Sequence, residues 1–209
     1  MSQARSAPRT LDRDQILAVA VAHFARFGFR KTSLTEVAGQ LGVVKGALYY
    51  HFPGGKLEIF DAAVSQVETE LLEEMRKSAE AETDPRRALR ALFATKFSCI
   101  RRRVGAHGVS PGVARELAAV PRDAQPFQLS ERRLIEDVLA RGEREGKFRK
   151  LRPRGAAAAA IQGMLREPIV GAALGTEPAP LRDGLPLHPC YFEILIEGLA
   201  PAPTTGENA

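Results

Sequence analysis

Cysteine is scarce in this chain. Cys99 and Cys190 are the two in 209 residues, and they lie far apart without metal-ligand spacing. That argues against a disulfide framework or a zinc cluster and predicts two reduced, packed thiols in a cytoplasmic protein. No apolar run reaches the ~18 residues that a membrane span needs. The first ten residues contain Arg5 and Arg9 but no apolar core of a signal peptide. They read as a disordered polar arm, and residues 201–209 as a disordered tail. Catalytic signatures of other kinds are also missing: there is no H-E-x-x-H, G-x-G-x-x-G or Walker A loop. Pro53-Gly54-Gly55-Lys56 lacks the leading Gly and trailing Ser/Thr of a phosphate loop, and nothing near His188 and Cys190 completes a metal site. The expectation is a protein that is not an enzyme, with no metal, cofactor or membrane partner.

Charge is present but unevenly placed. Residues 1–56 hold eight Lys/Arg and three acids, so this segment carries the whole formal net charge of +5. The 22 Lys/Arg and 22 Asp/Glu of residues 57–209 cancel. A basic head on a neutral body is the electrostatic footprint of a small nucleic-acid-binding domain.

The head also has the pattern for it. Leu34, Val37, Ala38 and Leu41 sit at i, i+3, i+4 and i+7, one apolar helical stripe. Ser33 and Glu36 form the S-x-x-E pattern of a capping box before it, and Gly42 follows as a stop. A second short helix is expected over residues 44–51, with Leu48 and Phe52 inward and Lys45, Tyr49, Tyr50 and His51 outward. This is a helix-turn-helix whose second helix presents cationic and hydrogen-bonding side chains. Thr32, Ser33 and Thr35 open the first of the two helices, where hydroxyls and backbone N–H groups hold phosphate. Gly46 lets the backbone approach DNA, Lys45 reaches guanine or phosphate, and Lys56 is expected near a phosphate. A preceding helix should start near residues 10–12, bury Ile16, Ala20, Phe24 and Phe27, and end at Gly28.

This segment resembles the TetR family of bacterial transcriptional repressors. The resemblance is carried by Phe24-Ala25-Arg26-Phe27-Gly28, Thr32-Ser33-Leu34-Thr35-Glu36-Val37-Ala38, Leu41-Gly42-Val43, Lys45-Gly46, Leu48-Tyr49-Tyr50-His51-Phe52 and Lys56. It covers roughly residues 12–62. Val44 and Ala47 stand where the family usually has Ser/Thr and a polar residue. The resemblance implies a homodimer on a pseudo-palindromic operator in double-stranded DNA and a ligand cavity among the fourth to seventh helices.

Beyond the head, periodicity predicts six more helices, making an all-α fold of about nine. Leu57, Phe60, Val64, Val67, Leu71 and Met75 mark a long fourth helix with no linker before it. Asp84-Pro85 restarts the chain as N-cap acid and first-turn proline. Leu89, Leu92, Phe93, Phe97 and Ile100 follow on one stripe, ended by Arg101-Arg102-Arg103. Residues 105–126 are broken by Gly and Pro around one short helix near 112–119. Helices are then expected over about 127–149, 154–174 and 191–199, with an irregular 175–189 between the last two and a kink at Pro168.

The expected organisation is a DNA-binding head over 1–56 and a regulatory and dimerisation body over 57–200. The expected function is repression relieved by a small apolar effector. Met75, Phe93, Phe97, Ile100 and Phe127 are the candidate effector residues. Ala160, Gly163, Gly171, Ile194 and Leu195 are the candidate dimer contacts, because small residues let helices approach closely. The alternative is an activator or architectural DNA-binding protein of the same fold that takes no small-molecule ligand.

Overall fold

A computed structural model describes residues 11–173 and 189–201. The arm over 1–10, the connection over 174–188, which includes His188, and the tail over 202–209 lie outside the described residues. All elements among the described residues are helices: α1 (Arg13–Lys31), α2 (Leu34–Leu41), α3 (Lys45–His51), α4 (Gly55–Glu80), α5 (Pro85–Ala106), α6 (Pro111–Ala118), α7 (Gln125–Arg144), α8 (Arg154–Ala173) and α9 (Pro189–Leu199).

They form two compact units. The first is Met1–Gln66 with Gly112–Val120, and the second is Val67–Pro111 with Pro121–Ala209. The first compact unit therefore extends past residue 56, the expected boundary, for a physical reason. Ile59, Phe60 and Ala63, on the first turns of α4, are buried in the same cluster as Ile16, Leu17, Ala20, Phe24, Val37, Leu48 and Phe52. Leu57, placed on the apolar stripe by spacing, is exposed. Helix α6 belongs to this unit as well, through Leu117 and the following Val120.

The second unit has its own core. Leu71, Met75 and Ala79 of α4 face Leu89, Leu92, Phe93 and Phe97 of α5, Ile135, Val138 and Leu139 of α7, and Ala158 and Ile161 of α8. Asp84 caps α5 by accepting from Arg86 N at 2.8 Å, with Pro85 opening the helix. The three arginines ending the α5 stripe are held locally. Arg102 pairs with Glu74 at 2.8 Å, Arg103 with Glu70 at 3.0 Å, and Arg101 lies over the Phe97 ring at 5.3 Å. Helix α7 stops at Arg144, earlier than periodicity suggests. The chain turns back there, and Lys147 N and Phe148 N both donate to Gly142 O. Helix α8 runs on through Pro168 to Ala173. The carbonyl of Leu199, the last residue of α9, accepts from Arg149 N at 2.8 Å.

The candidate nucleic-acid interface

In the head, local signals fix each helix end. Asp12 caps α1 through Gln15 N at 2.7 Å. Ser33 caps α2, accepting from Thr35 N at 3.2 Å rather than from Glu36 N, the amide of the expected capping box; Glu36 N donates instead to Ser33 O at 3.1 Å. Gly42 ends α2 in the left-handed conformation, and Val43 N reaches back to Ala38 O at 3.0 Å. Helix α3 begins at Lys45 after Val44, which offers no side-chain cap.

Leu48 and Phe52 anchor α3 in the core. Arg13 of α1 secures its end. The guanidinium lies 4.0 Å from the Phe52 ring centroid and donates to His51 O at 2.5 Å. The opposite face is left to solvent. Tyr50 is 85% exposed and Tyr49 42%, and Val44, Lys45 and Gly46 are exposed beside them. Lys45 Nζ stands 5.7 Å from the Tyr49 ring, and His51 meets Tyr50 edge-on at 5.3 Å. Tyr49 is held from behind by the turn into α4. A Cβ on Gly55 would come within 3.2 Å of the Tyr49 ring, and the backbone there has φ +68, which L side chains rarely adopt. Gly54 N donates to Glu58 and closes the same turn.

The expected phosphate-facing hydroxyls separate. Thr32 is 2% exposed and its hydroxyl donates to Gly28 O at 2.7 Å, so it is used inside the head. Ser33 is half-buried as the cap, and Thr35 is exposed. Lys56 donates to Arg30 O at 3.3 Å and Thr32 O at 3.1 Å and lies over the Phe29 ring. An ammonium has three donors, so this lysine has one left for an outside acceptor. Helix α1 also departs from expectation. It continues past Gly28 to Lys31, with a break at Gly28, where φ is 80 and ψ 171. His23, beside the apolar face, bonds Gln40 through Nε2 at 2.8 Å.

In the second unit, Met75, Phe93 and Phe97 are core residues, with Ile100 and Phe127 partly buried against them. Sequence reasoning missed their polar neighbours. Lys96, Glu131 and Gln162 are 4%, 1% and 6% exposed. Lys96 Nζ meets Glu131 Oε1 at 2.5 Å, and Gln162 Nε2 donates to Glu131 Oε2 at 2.8 Å and to Gln128 O at 2.9 Å. Helical spacing held the signal. Lys96 lies seven residues after Leu89 and Glu131 four before Ile135, both on buried stripes. Cys99 is also buried, and burial pushes its thiol up to about 11, with the Glu74 carboxylate acting in the same direction.

Of the candidate dimer contacts, Ala160, Gly163 and Ile194 are exposed, as is Met164 between them, and Leu195 is partly buried against the core. Gly171 falls near the end of α8, at a position whose surroundings lie outside the described residues. No helix among the described residues is long and apolar enough to cross a membrane.

Comparison with known proteins finds similar chains. Residues 16–63 match the family model described as bacterial regulatory proteins, tetR family. The chain is 30% identical over 139 residues to the HTH-type transcriptional repressor KstR2 of Mycobacterium tuberculosis, covering 66% of this chain and 69% of that one. It is 36% identical over 87 residues to the HTH-type transcriptional regulator LmrA of Bacillus subtilis, covering 42% of this chain and 46% of LmrA. The match thus spans under half the length of LmrA. Among solved structures it resembles the transcriptional regulator FadR of Bacillus subtilis in complex with stearoyl-CoA, with a TM-score of 0.69 at 19% identity, covering 90% of this chain and 100% of that one. That likeness is one of fold.

Proposed function

The chain belongs to the TetR family of bacterial regulatory proteins, and on that premise we propose that it is a ligand-responsive transcriptional repressor. It acts in the cytoplasm as a homodimer, and each protomer lays α3 into the major groove of one half of a pseudo-palindromic operator. One observation carries this reading. The Lys45, Tyr49 and Tyr50 face of α3 is exposed, while Leu48 and Phe52 behind it are fully buried. Tyr49 leans on the Gly55 turn, but the exposed Tyr50 and Lys45 have no packing reason on a seven-residue helix; contact with phosphate, base edges and thymine methyls supplies one. Thr35 and the third donor of Lys56 add phosphate contacts at the α2 end.

The effector in this reading is small and apolar and is received by the second unit near Phe93, Phe97, Ile100, Phe127 and Met75. It lowers operator affinity by binding the DNA-free form better, and operator must weaken its binding by the same factor. The stearoyl-CoA in complex with the FadR of similar fold supports an apolar chain as part of a ligand in this architecture, there joined to a polyanionic coenzyme A. The rival reading, a regulator acting without a small molecule, is favoured by one observation: Met75, Phe93 and Phe97 are packed as core.

Sequencing the DNA recovered with the protein from random genomic fragments tests the reading. A paired, pseudo-palindromic site is expected. Its affinity should fall with salt at a slope of about −0.9 per phosphate contacted. Single half-sites, or a flat salt response, would overturn it.

A further inference from the structure

At Gly28 the backbone leaves helical geometry, with φ +80 and ψ 171, a conformation open to glycine because it lacks a Cβ. The break has a chemical cost. In an unbroken helix Arg30 N would bond the carbonyl four residues earlier; here it needs another acceptor. A carboxylate from far along the chain supplies it. Glu116, on α6, accepts from Arg30 N through Oε1 at 2.7 Å. The same carboxylate lies on the bare face of Gly28, where a Cβ would come within 2.7 Å of its Oε2.

The other side of the same peptide segment is held by Lys56, which donates to Arg30 O and Thr32 O. Thr32 in turn bonds Gly28 O, and Ser33 caps α2 immediately afterwards. The α1–α2 corner is therefore fixed by an anion on its amide side and a cation on its carbonyl side. Phe29, between them, packs against Phe24 and Phe60 at 5.8 and 5.3 Å. Helix α6 is itself seated in the head, with Ala114 and Val120 buried.

We propose that Glu116 is a positioning residue for operator binding. It touches no DNA; a carboxylate there would repel phosphate. It acts through Arg30, holding the corner that sets where α2 begins and hence how Ser33, Thr35 and α3 are presented. The bond is charge-assisted, stronger than an amide–carbonyl bond between neutral groups. This inference rests on the DNA-binding reading above.

The test uses the full-length chain, its recovered operator and random DNA of equal length. Glu116→Ala should speed hydrogen exchange at the Arg30 amide and weaken operator binding by about tenfold, the scale of one lost hydrogen bond to a charged group. Random-DNA affinity should stay within about twofold, because that term depends on phosphate charge. Glu116→Gln keeps an acceptor of the same reach and should restore most of the operator affinity. Glu116→Asp keeps the charge but retracts the carboxylate by one methylene, and carries the same test if the alanine variant does not fold. A general loss of structure would weaken both DNAs together, and that result overturns the positioning role, as does an operator affinity unchanged in Glu116→Ala and Glu116→Asp. If the wild-type chain itself prefers no sequence, the DNA-binding reading falls and takes this one with it.

Discussion

Lys96 and Glu131 meet at 2.5 Å with both side chains almost wholly removed from solvent. Gln162 closes the second carboxylate oxygen. Burying such a pair brings little net stability, but breaking it leaves an uncompensated charge. Lys96→Met alone should therefore destabilise the second unit by ~3–5 kcal/mol, and Lys96→Met with Glu131→Leu should recover most of that. Urea unfolding of the single and double variants measures it. A double variant no more stable than Lys96→Met would mean that the unpaired Glu131 carboxylate is not the source of the loss.

Tyr50 and Tyr49 should separate binding from folding. Tyr50 is free of the core, so Tyr50→Ala should leave the melting temperature unchanged and weaken operator binding by ~1–3 kcal/mol if a base edge is read, less if a phosphate is touched. Tyr49 also packs against Gly55, so Tyr49→Ala should lower both. Lys45→Ala should weaken binding and flatten the salt slope by about one phosphate contact. Gel-shift titrations at several salt concentrations read all three.

Ile194 is 63% exposed in the isolated subunit. Aspartate there costs the folded protomer little. In a dimer built on α8 and α9 it would be buried without a partner. Ile194→Asp should sediment as a monomer that keeps the helices of its core and loses helicity at α9 alone. A variant that remains a tight dimer places the interface elsewhere.

Glu143 gives a pH-dependent stability. It accepts from Arg154 at 2.8 Å, from Leu151 N at 3.1 Å and from Arg152 at 3.0 Å. Arg154 chiefly, with Leu151 N and Arg152, holds its carboxyl down at about 2, against 4.5 for a free glutamate. The folded state thus favours the charged form. Its contribution is complete above about 4.5 and is lost as the pH falls through about 2. Glu143→Gln should lower the unfolding free energy from urea titration at pH 7 by ~1–3 kcal/mol for the weakened bonds. The difference from wild type should narrow on going to pH 3.

Much of the head was legible because its signals are local. Ser33, Gly42 and the Leu34–Leu41 stripe lie within ten residues of one another, and each acts on the helix that contains it. Asp84-Pro85 is legible for the same reason. The polar cluster was not. Lys96 and Glu131 sit on apolar stripes, but a charged residue is ordinarily exposed, and their mutual distance is a tertiary fact. Glu116 was further out of reach. It stands 86 residues from Arg30, and no periodicity links a carboxylate on one helix to an amide on another. Thr32 is the opposite case. It was expected to open α2 but closes α1 as its C-cap, with its hydroxyl turned inward to the carbonyl of Gly28, where the helix breaks.

Helix α9 is eleven residues long, shorter than a helix that sustains itself in water. Its helicity is lent by the places where it touches the rest of the subunit: Phe192 beneath the Arg90 guanidinium, and Leu199 with its carbonyl on Arg149. The Leu199 contact closes a loop of fifty residues, and only packing offsets the entropy that closure removes. In the dimer proposed here a second protomer would cover the outer face of α9 and supply more of that packing. Association and the last stage of folding would then be one equilibrium, and concentration would become a folding variable. Dilution would act on this chain as a mild denaturant, loosening α9 as the protomers part.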